Sequence, residues 1–415
     1  MARKMKDSGV EWIGRIPDHW SSIRFKDIIV SSNGGEVIDK SYWGDGNELL
    51  YTCQRTPMLS DYPNFPDVKR TQKGDLLLTR NATPYIFIPK EGSIYSNVVQ
   101  RIKVIGDCDL RFVRSAVMYG AGTLLANGNT IPSYNMGVWR NIAIPWPSVQ
   151  EQVRIANYLD TECTRIDAVI KQTRASIEEY KKLKQAIISQ AVTKGIRPNR
   201  PMKNSCVNWI GAIPSEWGSY RIANLYDERN ENGDDSLPIL TVSINTGISD
   251  HEVADEDQIR VFTRSEDRTK YKRVYPGDLA YNMMRAWQGA FGAVRVDGMV
   301  SPAYVVAKPK ANLQLDSRYM EALLRTSSAI EEMHRYSKGI TDFRLRLYWP
   351  EFKNIRVCIP SYEEQVEIAD YIDIKSAKLD QLVSAKELLL TELLTYKKSL
   401  IYEYVTGKKE VPVCP

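Results

Sequence analysis

Histidine, paired cysteine and long apolar segments are all scarce in this sequence of 415 residues. The three histidines, His19, His251 and His334, stand far apart, and none of the six cysteines forms a Cys-x-x-Cys pair. A zinc site is therefore not expected, and such cysteine usage is typical of a reducing cytosol. No apolar run approaches the roughly 18 residues of a membrane span, and the amino terminus lacks a signal-peptide core. We expect a soluble, cytoplasmic protein.

Recognisable catalytic motifs are absent as well. There is no G-x-x-x-x-G-K-[ST] phosphate loop, no G-x-G-x-x-G turn after a predicted strand, no H-E-x-x-H motif and no N-P-P-Y-type methyltransferase motif. Acidic runs such as residues 255–257 lie in polar segments, where a solvated surface is the simpler interpretation. We expect no catalysis by this chain. An enzyme with an unrecognised site, such as a nuclease, is the alternative.

A strong excess of charge of one sign is also lacking. The chain has 56 lysines and arginines against 51 aspartates and glutamates, which gives a net charge of +5. This mild excess permits nucleic-acid binding without requiring it. Tight nonspecific binding to phosphates depends on many cationic contacts. We therefore expect a partner to supply part of any electrostatic attraction to nucleic acid.

A long helix, in contrast, is encoded twice. Each copy opens with a Ser-x-x-Glu capping box, in which the serine accepts a backbone N–H and the glutamate reaches back to the cap. Each copy also ends at a glycine, as helices commonly do. We predict one long helix between each cap and its stop. The copies begin PSVQEQVRIANYLD at 147–160 and PSYEEQVEIADYID at 360–373, with capping boxes Ser148/Glu151 and Ser361/Glu364 and stops at Gly195 and Gly407.

Both helices carry apolar residues at the 3.5-residue spacing of a coiled coil. Helices of this length reach roughly 65–70 Å, and so long an apolar seam needs a partner. The matching seam lies in the same chain, so we predict that the two helices pack on each other. Separate packing of each helix on its own domain is the alternative. The seam positions are Leu159, Cys163, Ile166, Ile170, Thr173, Ile177, Tyr180, Lys184, Ile187 and Ala191, and Ile372, Ser376, Leu379, Val383, Lys386, Leu390, Leu393, Lys397, Leu400 and Tyr404.

A second repeat precedes each globular section. Residues 5–20 return as residues 202–217 with most positions identical, including two tryptophans, a glycine and an Ile-Pro pair. Tryptophan and proline at fixed offsets are a strong repeat signal. We interpret each copy as a structural strap whose indoles are buried, in preference to a ligand-binding element.

Each strap leads into a section that alternates short strands with polar turns. Lys73-Gly74-Asp75-Leu76 and Pro276-Gly277-Asp278-Leu279 correspond, as a turn that enters a strand. Beyond these anchors the two sections do not align, so the frame repeats while the loops differ. That pattern is typical of two domains of one fold that recognise different things. We predict strands at 48–53, 74–79, 93–105, 237–244, 277–282, 291–296 and 304–307, and a helix at 318–336.

Polar side chains follow corresponding strands in both sections. Arginine pairs with guanine and asparagine or glutamine with adenine, while serine, threonine and tyrosine position a protein on phosphates. A loop arginine or asparagine is often only solvated, so the prediction rests on clusters in both sections. A scaffold that binds protein or RNA through these loops is the alternative. The predicted DNA-binding residues are Arg55, Arg80, Asn81, Tyr85, Asn97, Asn129, Ser133, Tyr134, Asn135, Asn282, Arg285, Trp287, Gln288, Ser301, Tyr304, Thr341, Arg344 and Arg346.

Together these features resemble the specificity (S) subunit of a type I restriction–modification system, over essentially the whole chain. The marks are the Trp-Ile-Gly-x-Ile-Pro repeats at 12–17 and 209–214, the two Glu-Gln helix openings, and the Pro-Gly-Asp-Leu turn followed by Met-Val-Ser-Pro-Ala-Tyr at 299–304. The first section departs from this pattern. It has Lys73 in place of Pro276 and no Ser-Pro-Ala-Tyr equivalent.

The resemblance implies a mixed α/β fold. Two α/β target-recognition domains would be joined by two long antiparallel coiled-coil helices, as a pseudo-two-fold internal repeat. The expected division is 1–147 for the first recognition domain with its strap, 148–201 for the first spacer helix and linker, 202–360 for the second recognition domain with its strap, and 361–415 for the second spacer helix and tail.

The resemblance also implies a function in phage defence. The chain would recognise DNA by sequence, read an asymmetric bipartite duplex site, and direct partner subunits to it without catalysis of its own. The implied partners are double-stranded DNA, two copies of an adenine-N6 methyltransferase (modification) subunit and two ATP-dependent restriction subunits, with no membrane. S-adenosylmethionine, ATP and magnesium would be held by those partners, and this chain would hold no cofactor.

Overall fold

The computed structural model describes residues 3–80, 84–123, 136–234, 236–244, 246–252, 270–340 and 344–412. The chain divides into two compact units by its contacts. The first unit comprises Met1–Arg174 and Leu388–Pro415, and the second comprises Ala175–Glu387. Each unit therefore holds one globular section together with parts of both long helices. The predicted mixed α/β fold with two long helices is confirmed.

The first unit begins with short strands and ends in the first long helix, which continues into the second unit. Its described elements are β1 (Met5–Asp7), β2 (Arg15–Pro17), β3 (Ser21–Arg24), β4 (Ile29–Gly34), β5 (Trp43–Tyr51), β6 (Met58–Ser60), β7 (Asp75–Thr79), β8 (Ile86–Phe87), β9 (Ile94–Tyr95), β10 (Val99–Val104), α1 (Leu110–Thr123), α2 (Met136–Asn141), β11 (Ala143–Trp146) and α3 (Val149–Lys194).

The second unit repeats this order, and the second long helix returns from it to the first unit. Its described elements are β12 (Met202–Asn204), β13 (Ala212–Pro214), β14 (Gly218–Arg221), α4 (Ile222–Leu225), β15 (Tyr226–Glu228), β16 (Val242–Ser243), β17 (Gly247–Ile248), β18 (Lys272–Val274), β19 (Leu279–Asn282), β20 (Phe291–Ala293), β21 (Gly298–Val300), β22 (Tyr304–Pro309), α5 (Ser317–Leu324), α6 (Ser327–Tyr336), α7 (Trp349–Phe352), β23 (Arg356–Ile359) and α8 (Tyr362–Val405).

The two units share one sheet topology. The main sheet of the first unit has the strand order β4-β10-β7-β8, and that of the second unit has the order β15-β22-β19-β20. All neighbouring strands in both sheets are antiparallel. Smaller pairs also correspond, since β1 pairs with β2 as β12 does with β13, and β3 pairs with β11 as β14 does with β23. The internal repeat therefore extends from sequence to topology.

The predicted turn before a central strand is present in both units. The buried carboxylate of Asp75 accepts the backbone N–H of Gln72 at 2.7 Å and lies 3.7 Å from the Arg101 guanidinium. Asp278 is equally buried, and its Oδ2 lies 2.8 Å from the Nε of Arg229. Burial raises the pKa of Asp278 against the opposing effect of the Arg229 hydrogen bonds. An aspartate paired with arginine thus closes the same turn twice.

A second turn also recurs, although its sequence does not. In the second unit the N–H of Tyr304 donates to the carbonyl oxygen of Ser301 at 2.9 Å, and in the first the N–H of Val99 donates to Ser96 at 2.9 Å. The first section thus lacks the Ser-Pro-Ala-Tyr motif in its sequence, yet it forms the corresponding turn. A backbone hydrogen bond closes this turn, so the proline and tyrosine need not recur.

Three predicted elements differ in the structure. Residues 93–105 form two strands, because the turn at Ser96 separates β9 from β10. Residues 318–336 form α5 and α6, because the Thr326 side chain caps a new helix by accepting the N–H of Ala329. Residues 237–244 contribute only the short strand β16. Helix α1 was not predicted, since its glycines disfavour a helix; one of them, Gly120, has no space for a Cβ beside Ile142.

Each strap packs against both long helices within its own unit. In the first unit Ile13, Ile16 and Trp20 share a core with Tyr404 and Val405 near the end of α8. In the second unit the corresponding core joins Val207, Ile213 and Trp217 to Ala191 and Val192 near the end of α3. Each strap thus packs into the core as predicted, with Trp20 and Trp217 buried, whereas Trp12 and Trp209 are only half-buried.

The glutamate of each helix opening holds the strap. The N–H of Glu151 donates to the Oγ of Ser148 at 3.4 Å, so the serine caps α3 as predicted. The Glu151 carboxylate reaches back to the cap residue, where it accepts the Ser148 hydroxyl at 3.2 Å. It also accepts the indole N–H of Trp20 at 3.1 Å and pairs with Arg3 at 2.6 Å, two contacts that were not predicted. In the second unit Glu364 accepts the indole N–H of Trp217 at 3.3 Å and pairs with Arg200.

The glutamine next to it holds the globular section of the same unit. Gln152 donates to the carbonyl oxygen of Pro147 at 3.1 Å and accepts the N–H of Asp109, beside the start of α1, at 3.0 Å. Gln365 makes the same two bonds, to Pro360 at 3.1 Å and from Asp316 at 3.0 Å. Both glutamine residues are buried. The Glu-Gln pair is therefore a joint between strap, long helix and domain.

The two lysines that interrupt the apolar seam are each paired with an aspartate on the other long helix. Within the first unit Lys397 of α8 lies 2.6 Å from Asp167 of α3. Within the second unit Lys184 of α3 lies 2.7 Å from Asp380 of α8. Residue numbers rise along one helix as they fall along the other, since Tyr404 contacts Tyr158 in the first unit. The two helices are antiparallel, and their predicted pairing is confirmed.

Candidate nucleic-acid interface

One edge of the main sheet collects predicted residues in the first unit. Arg80 follows the last residue of β7, and its N–H donates to the carbonyl oxygen of Val98 at 2.8 Å. Tyr85 precedes β8 and is half-buried, with its ring 4.7 Å from that of Phe87. Asn97 precedes β10, and both Arg80 and Asn97 are exposed. Because neighbouring strands are antiparallel, these three positions meet at one edge.

Arg55 lies near the same edge. It is exposed in the loop after β5, whose last residue, Tyr51, accepts the N–H of Ser96 at 3.0 Å. The edge of the first unit therefore presents two arginines and an asparagine to solvent. The remaining predicted residues of this section lie outside the described part of the chain; they are Asn81, Asn129, Ser133, Tyr134 and Asn135.

The corresponding edge of the second unit is built around Asn282. This residue ends β19 and is paired in register with Tyr304, which begins β22. The Oδ1 of Asn282 accepts the N–H of Met284 at 2.9 Å, and the N–H of Arg285 donates to the Asn282 carbonyl oxygen at 2.9 Å. Burial raises the pKa of the Tyr304 phenol, opposed by its hydrogen bonds and by the nearby Arg285. A tight turn thus holds Arg285 beside the sheet.

Some predicted residues use their polar atoms internally. The indole N–H of Trp287 donates to the carbonyl oxygen of Met284 at 3.0 Å, and its ring lies 5.7 Å edge-on from that of His334. The Oγ of Ser301 accepts the N–H of Ala303 at 3.4 Å. Together with Asn282, these residues shape the edge. Gln288 is exposed and Arg285 is half-exposed, which leaves both able to reach a ligand.

A hairpin brings the last predicted residues to this edge. Arg346 pairs with Lys338 through two backbone hydrogen bonds of 2.9 Å, and the N–H of Leu347 donates to the carbonyl oxygen of Met283 at 2.8 Å. Arg344 and Arg346 are exposed. Thr341 lies outside the described residues. The edge of the second unit therefore gathers three arginines from two segments that are distant in sequence.

Sequence reasoning missed several side chains at this edge. Met284 is exposed beside Arg285, and His334, Lys338 and Ile340 are exposed near the hairpin. Polarity was the criterion of the prediction, so apolar residues such as Met284 and Ile340 were passed over. Position immediately after a predicted strand would have identified Met284. The hairpin residues carry no such signal, because a backbone contact at Met283 brings them there.

The exposed groups described at both edges are mainly hydrogen-bond donors. Exposed guanidinium and amide groups at strand ends match base edges and phosphates. Among the described residues, no group of histidine, cysteine, aspartate and glutamate is arranged to hold a metal ion. None of the described helices has the length and apolarity needed to cross a bilayer.

Comparisons with known proteins agree with this chemistry. A family model, the type I restriction modification DNA specificity domain, matches residues 17–179. The MjaVIII type I restriction enzyme specificity subunit of Methanocaldococcus jannaschii is 25% identical over 90% of this chain and 91% of its own length. The EcoBI specificity subunit of Escherichia coli is 26% identical over 61% of this chain and 55% of its own length.

A solved structure gives the same result for the fold. It is described as the structural basis underlying complex assembly and conformational transition of the type I R-M system. The match has a TM-score of 0.63 at 15% sequence identity, and it covers 95% of this chain and 99% of the other. The comparison therefore supports the mixed α/β fold with two long helices. Over most of its length the chain is similar to type I restriction enzyme specificity subunits.

Proposed function

We propose that this chain reads an asymmetric bipartite duplex site, with one half read by each unit. The observation that carries the proposal is the recurrence of one sheet edge with different side chains. Arg80 and Asn97 stand at this edge in the first unit, whereas Arg285, Gln288 and Arg346 stand at it in the second. Because the two units share the topology of the main sheet, we expect them to dock on the duplex in the same way. Because the side chains at their edges differ, we expect the two half-sites to differ in sequence.

The proposal includes the assembly around the chain. Two adenine-N6 methyltransferase subunits would bind the chain, and two ATP-dependent restriction subunits would complete the system. S-adenosylmethionine, ATP and magnesium would be bound by those subunits. The outward faces of α3 and α8, which are rich in lysine, glutamate and glutamine, are the proposed docking surface for the methyltransferases.

Methylome sequencing tests the proposal directly. A host that carries this chain with its methyltransferase should show N6-methyladenine at a bipartite motif with two different half-sites and an unread spacer. A chimaera that has the first-unit loops replaced by those of another subunit should change one half-site alone. A change in both half-sites, or a continuous motif, would contradict the division of labour.

The long helices would set the spacer. Insertion of four residues into each helix, after Arg174 in α3 and after Glu387 in α8, adds roughly 6 Å to each helix. The spacer of the methylated motif should then lengthen by about one to two base pairs, at roughly 3.4 Å per pair. Recovery of the original spacer from a well-folded insertion variant would exclude the helices as its determinant.

Assays of duplex binding and DNA cleavage distinguish two other classes of function. A scaffold for protein or RNA would show no salt-sensitive, sequence-dependent duplex binding by the complex with the methyltransferase. A nuclease would cleave DNA as an isolated chain with a divalent metal. We expect sequence-dependent binding by the complex and no cleavage by the chain alone.

A further inference from the structure

The backbone of Met284, in the turn that follows β19, is held by two other side chains of the same turn. The Oδ1 of Asn282 accepts the N–H of Met284 at 2.9 Å, and the indole N–H of Trp287 donates to the Met284 carbonyl oxygen at 3.0 Å. Asn282 and Trp287 are both among the residues predicted to bind DNA. These two hydrogen bonds fix the position of Met284 at the candidate DNA edge.

The backbone on both sides of Met284 is held as well. Each N–H and each carbonyl oxygen of residues 283–285 takes part in a hydrogen bond. A turn whose backbone groups are already satisfied needs little further ordering when it binds a ligand. The other bonds run from the Met283 N–H to the Ala303 carbonyl oxygen at 3.4 Å, from the Leu347 N–H to the Met283 carbonyl oxygen at 2.8 Å, from the Arg285 N–H to the Asn282 carbonyl oxygen at 2.9 Å, and from the Gln288 N–H to the Arg285 carbonyl oxygen at 2.9 Å.

The same turn is anchored to the second unit from below. Ala286 is fully buried. Gly289 has a φ of 90°, and a Cβ at that position would lie 3.0 Å from the Cδ1 of Ile330 in α6. The apolar side chain of Met284, in contrast, is 42% exposed. The turn therefore presents one apolar side chain on a well-anchored support, as a precise contact requires.

The side chains beside Met284 favour a base pair as its ligand. Gln288 is exposed and Arg285 is half-exposed, and both can bond to the polar groups of base edges. The thymine C5-methyl is the apolar group that a base pair presents in the major groove, and neither of these polar side chains can read it. An unbranched, polarisable methionine adapts well to such a methyl group. A lone exposed hydrophobic residue is ordinary on a protein surface, but Met284 is held in place among donors that match base edges.

We propose that Met284 packs on the C5-methyl of a thymine in the half-site read by the second unit, and so contributes to specificity at that base pair. This inference rests on the proposed reading of one half-site by each unit. It adds a contact that discriminates by shape rather than by hydrogen bonds. Since two methyltransferase subunits are proposed to modify adenine, we expect an A·T pair, and with it a thymine, in each half-site.

The test replaces thymine by deoxyuridine, one position at a time, in duplexes that carry the mapped motif. The complex with the methyltransferase should bind one of these duplexes about fourfold more weakly, the value for one buried methyl group. That position should lie in the half-site that a first-unit chimaera leaves unchanged. The Met284→Ala complex should bind the thymine and uracil duplexes equally there. Met202→Ala, at a methionine of β12 that is 44% exposed, is the matched control and should keep the fourfold difference.

Three results would overturn the inference. The wild-type complex could bind every uracil duplex as well as the thymine duplex, the sensitive thymine could lie in the half-site of the first unit, or Met284→Ala could keep the wild-type ratio of affinities. Each ratio compares two duplexes on one preparation, so it does not depend on the fraction of the variant that folds. Failure of the proposed function itself looks different, because the complex would then show no preference for the motif over random duplex.

Discussion

The two units of this chain agree in how each globular section contacts the long helices, and they differ in the side chains exposed at the edge of the main sheet. Glu151 and Glu364 hold their straps through the same tryptophan and arginine types, and Gln152 and Gln365 make the same two bonds to each domain. The exposed sheet edges, in contrast, do not align in sequence, although each has an arginine after a central strand. A repeated frame fixes the orientation of each domain on the helices, while the edge is free to vary.

Within the frame, a substitution beside the glutamate of the helix opening also distinguishes the two units. His19 lies 3.1 Å from Glu151 in the first unit, whereas the corresponding residue in the second unit is Glu216. The carboxylate of Glu151 thus collects a histidine, an arginine and an indole. The joint of the first unit therefore includes a side chain that has no counterpart of the same type in the second unit.

The largest expected effect is a loss of stability that is similar in both units. Trp20→Ala and Trp217→Ala should each lower the free energy of unfolding by about 3–5 kcal/mol, because each indole is fully buried in a core that joins strap, domain and helix. Chemical denaturation of the full chain measures this. Trp20→Phe and Trp217→Phe keep most of the packing but lose the bond to the glutamate, and should cost less.

Trp12→Ala is the matched control for the first strap, since Trp12 is only half-buried and should cost less than Trp20. A large loss of unfolding free energy in Trp20→Ala with none in Trp217→Ala would show that the two straps do not stabilise their units equally.

The next effect should be confined to one unit at a time. Arg80→Ala should relax base preference in one half-site and Arg285→Ala in the other, each with a loss of about 1–3 kcal/mol against the preferred sequence. Both residues follow a central strand at the same edge, so removal of one should leave the opposite half-site intact. Binding of the methyltransferase complex to duplexes with one randomised half-site measures this.

If Arg80→Ala or Arg285→Ala weakened binding to all duplex sequences equally, the arginine would be assigned to a phosphate contact instead of a base contact. An arginine that binds phosphate should lower affinity equally for every duplex and reduce the salt dependence by about one charge. Lys26→Ala, at an exposed cation away from both edges, serves as the control and should change neither quantity.

A smaller effect concerns how the stability of the fold depends on pH through Glu151. Burial alone would raise the pKa of Glu151, but hydrogen bonds from His19, Trp20 and Ser148 lower it to about 2. A carboxyl whose folded pKa lies below its ordinary value of 4.5 stabilises the fold above that pH. Its contribution, about 1–3 kcal/mol, should fall away as the pH drops from 4.5 toward 2.

Comparison of wild type with Glu151→Gln checks the acid prediction. The difference in free energy of unfolding should be largest above pH 4.5 and should shrink as the pH falls. Glu178→Gln alters an exposed glutamate of α3 and should change stability little at any pH. A constant difference between wild type and Glu151→Gln from neutral pH down to pH 2 would refute the assigned pKa.

The frame of the molecule could be predicted from sequence, and the edges could not. Capping boxes, glycine stops and the 3.5-residue seam are local signals, and they located both helices and their partners. The role of Glu151 escaped because the capping box is a local rule, while Trp20 reaches the carboxylate from far along the chain. Likewise, the break at Thr326 depends on one cap inside an apolar pattern that continues across it.

The edge was only partly predictable because it is assembled from separate segments. Arg80 and Arg285 follow predicted strands, and that local signal found them. The hairpin with Ile340 reaches the edge through a backbone bond at Met283, which no pattern in residues 338–346 encodes. The predicted base contacts, including those outside the described residues, stay predictions until the half-sites are mapped.

The smallest effect should be the same in both units and tests the antiparallel register of the helices. Lys397→Glu places two like charges together at Asp167, and Lys184→Glu does so at Asp380. Each should lower the free energy of unfolding by about 0.3–1 kcal/mol at low salt, because these pairs are partly exposed and screened by ions. The exchange Lys397→Asp with Asp167→Lys should restore most of the loss, as should the same exchange at Lys184 and Asp380. Denaturation at low and high salt measures both arms. A loss that survives the exchange, or that does not shrink in salt, would mean that the pairs stabilise the seam by packing rather than by charge.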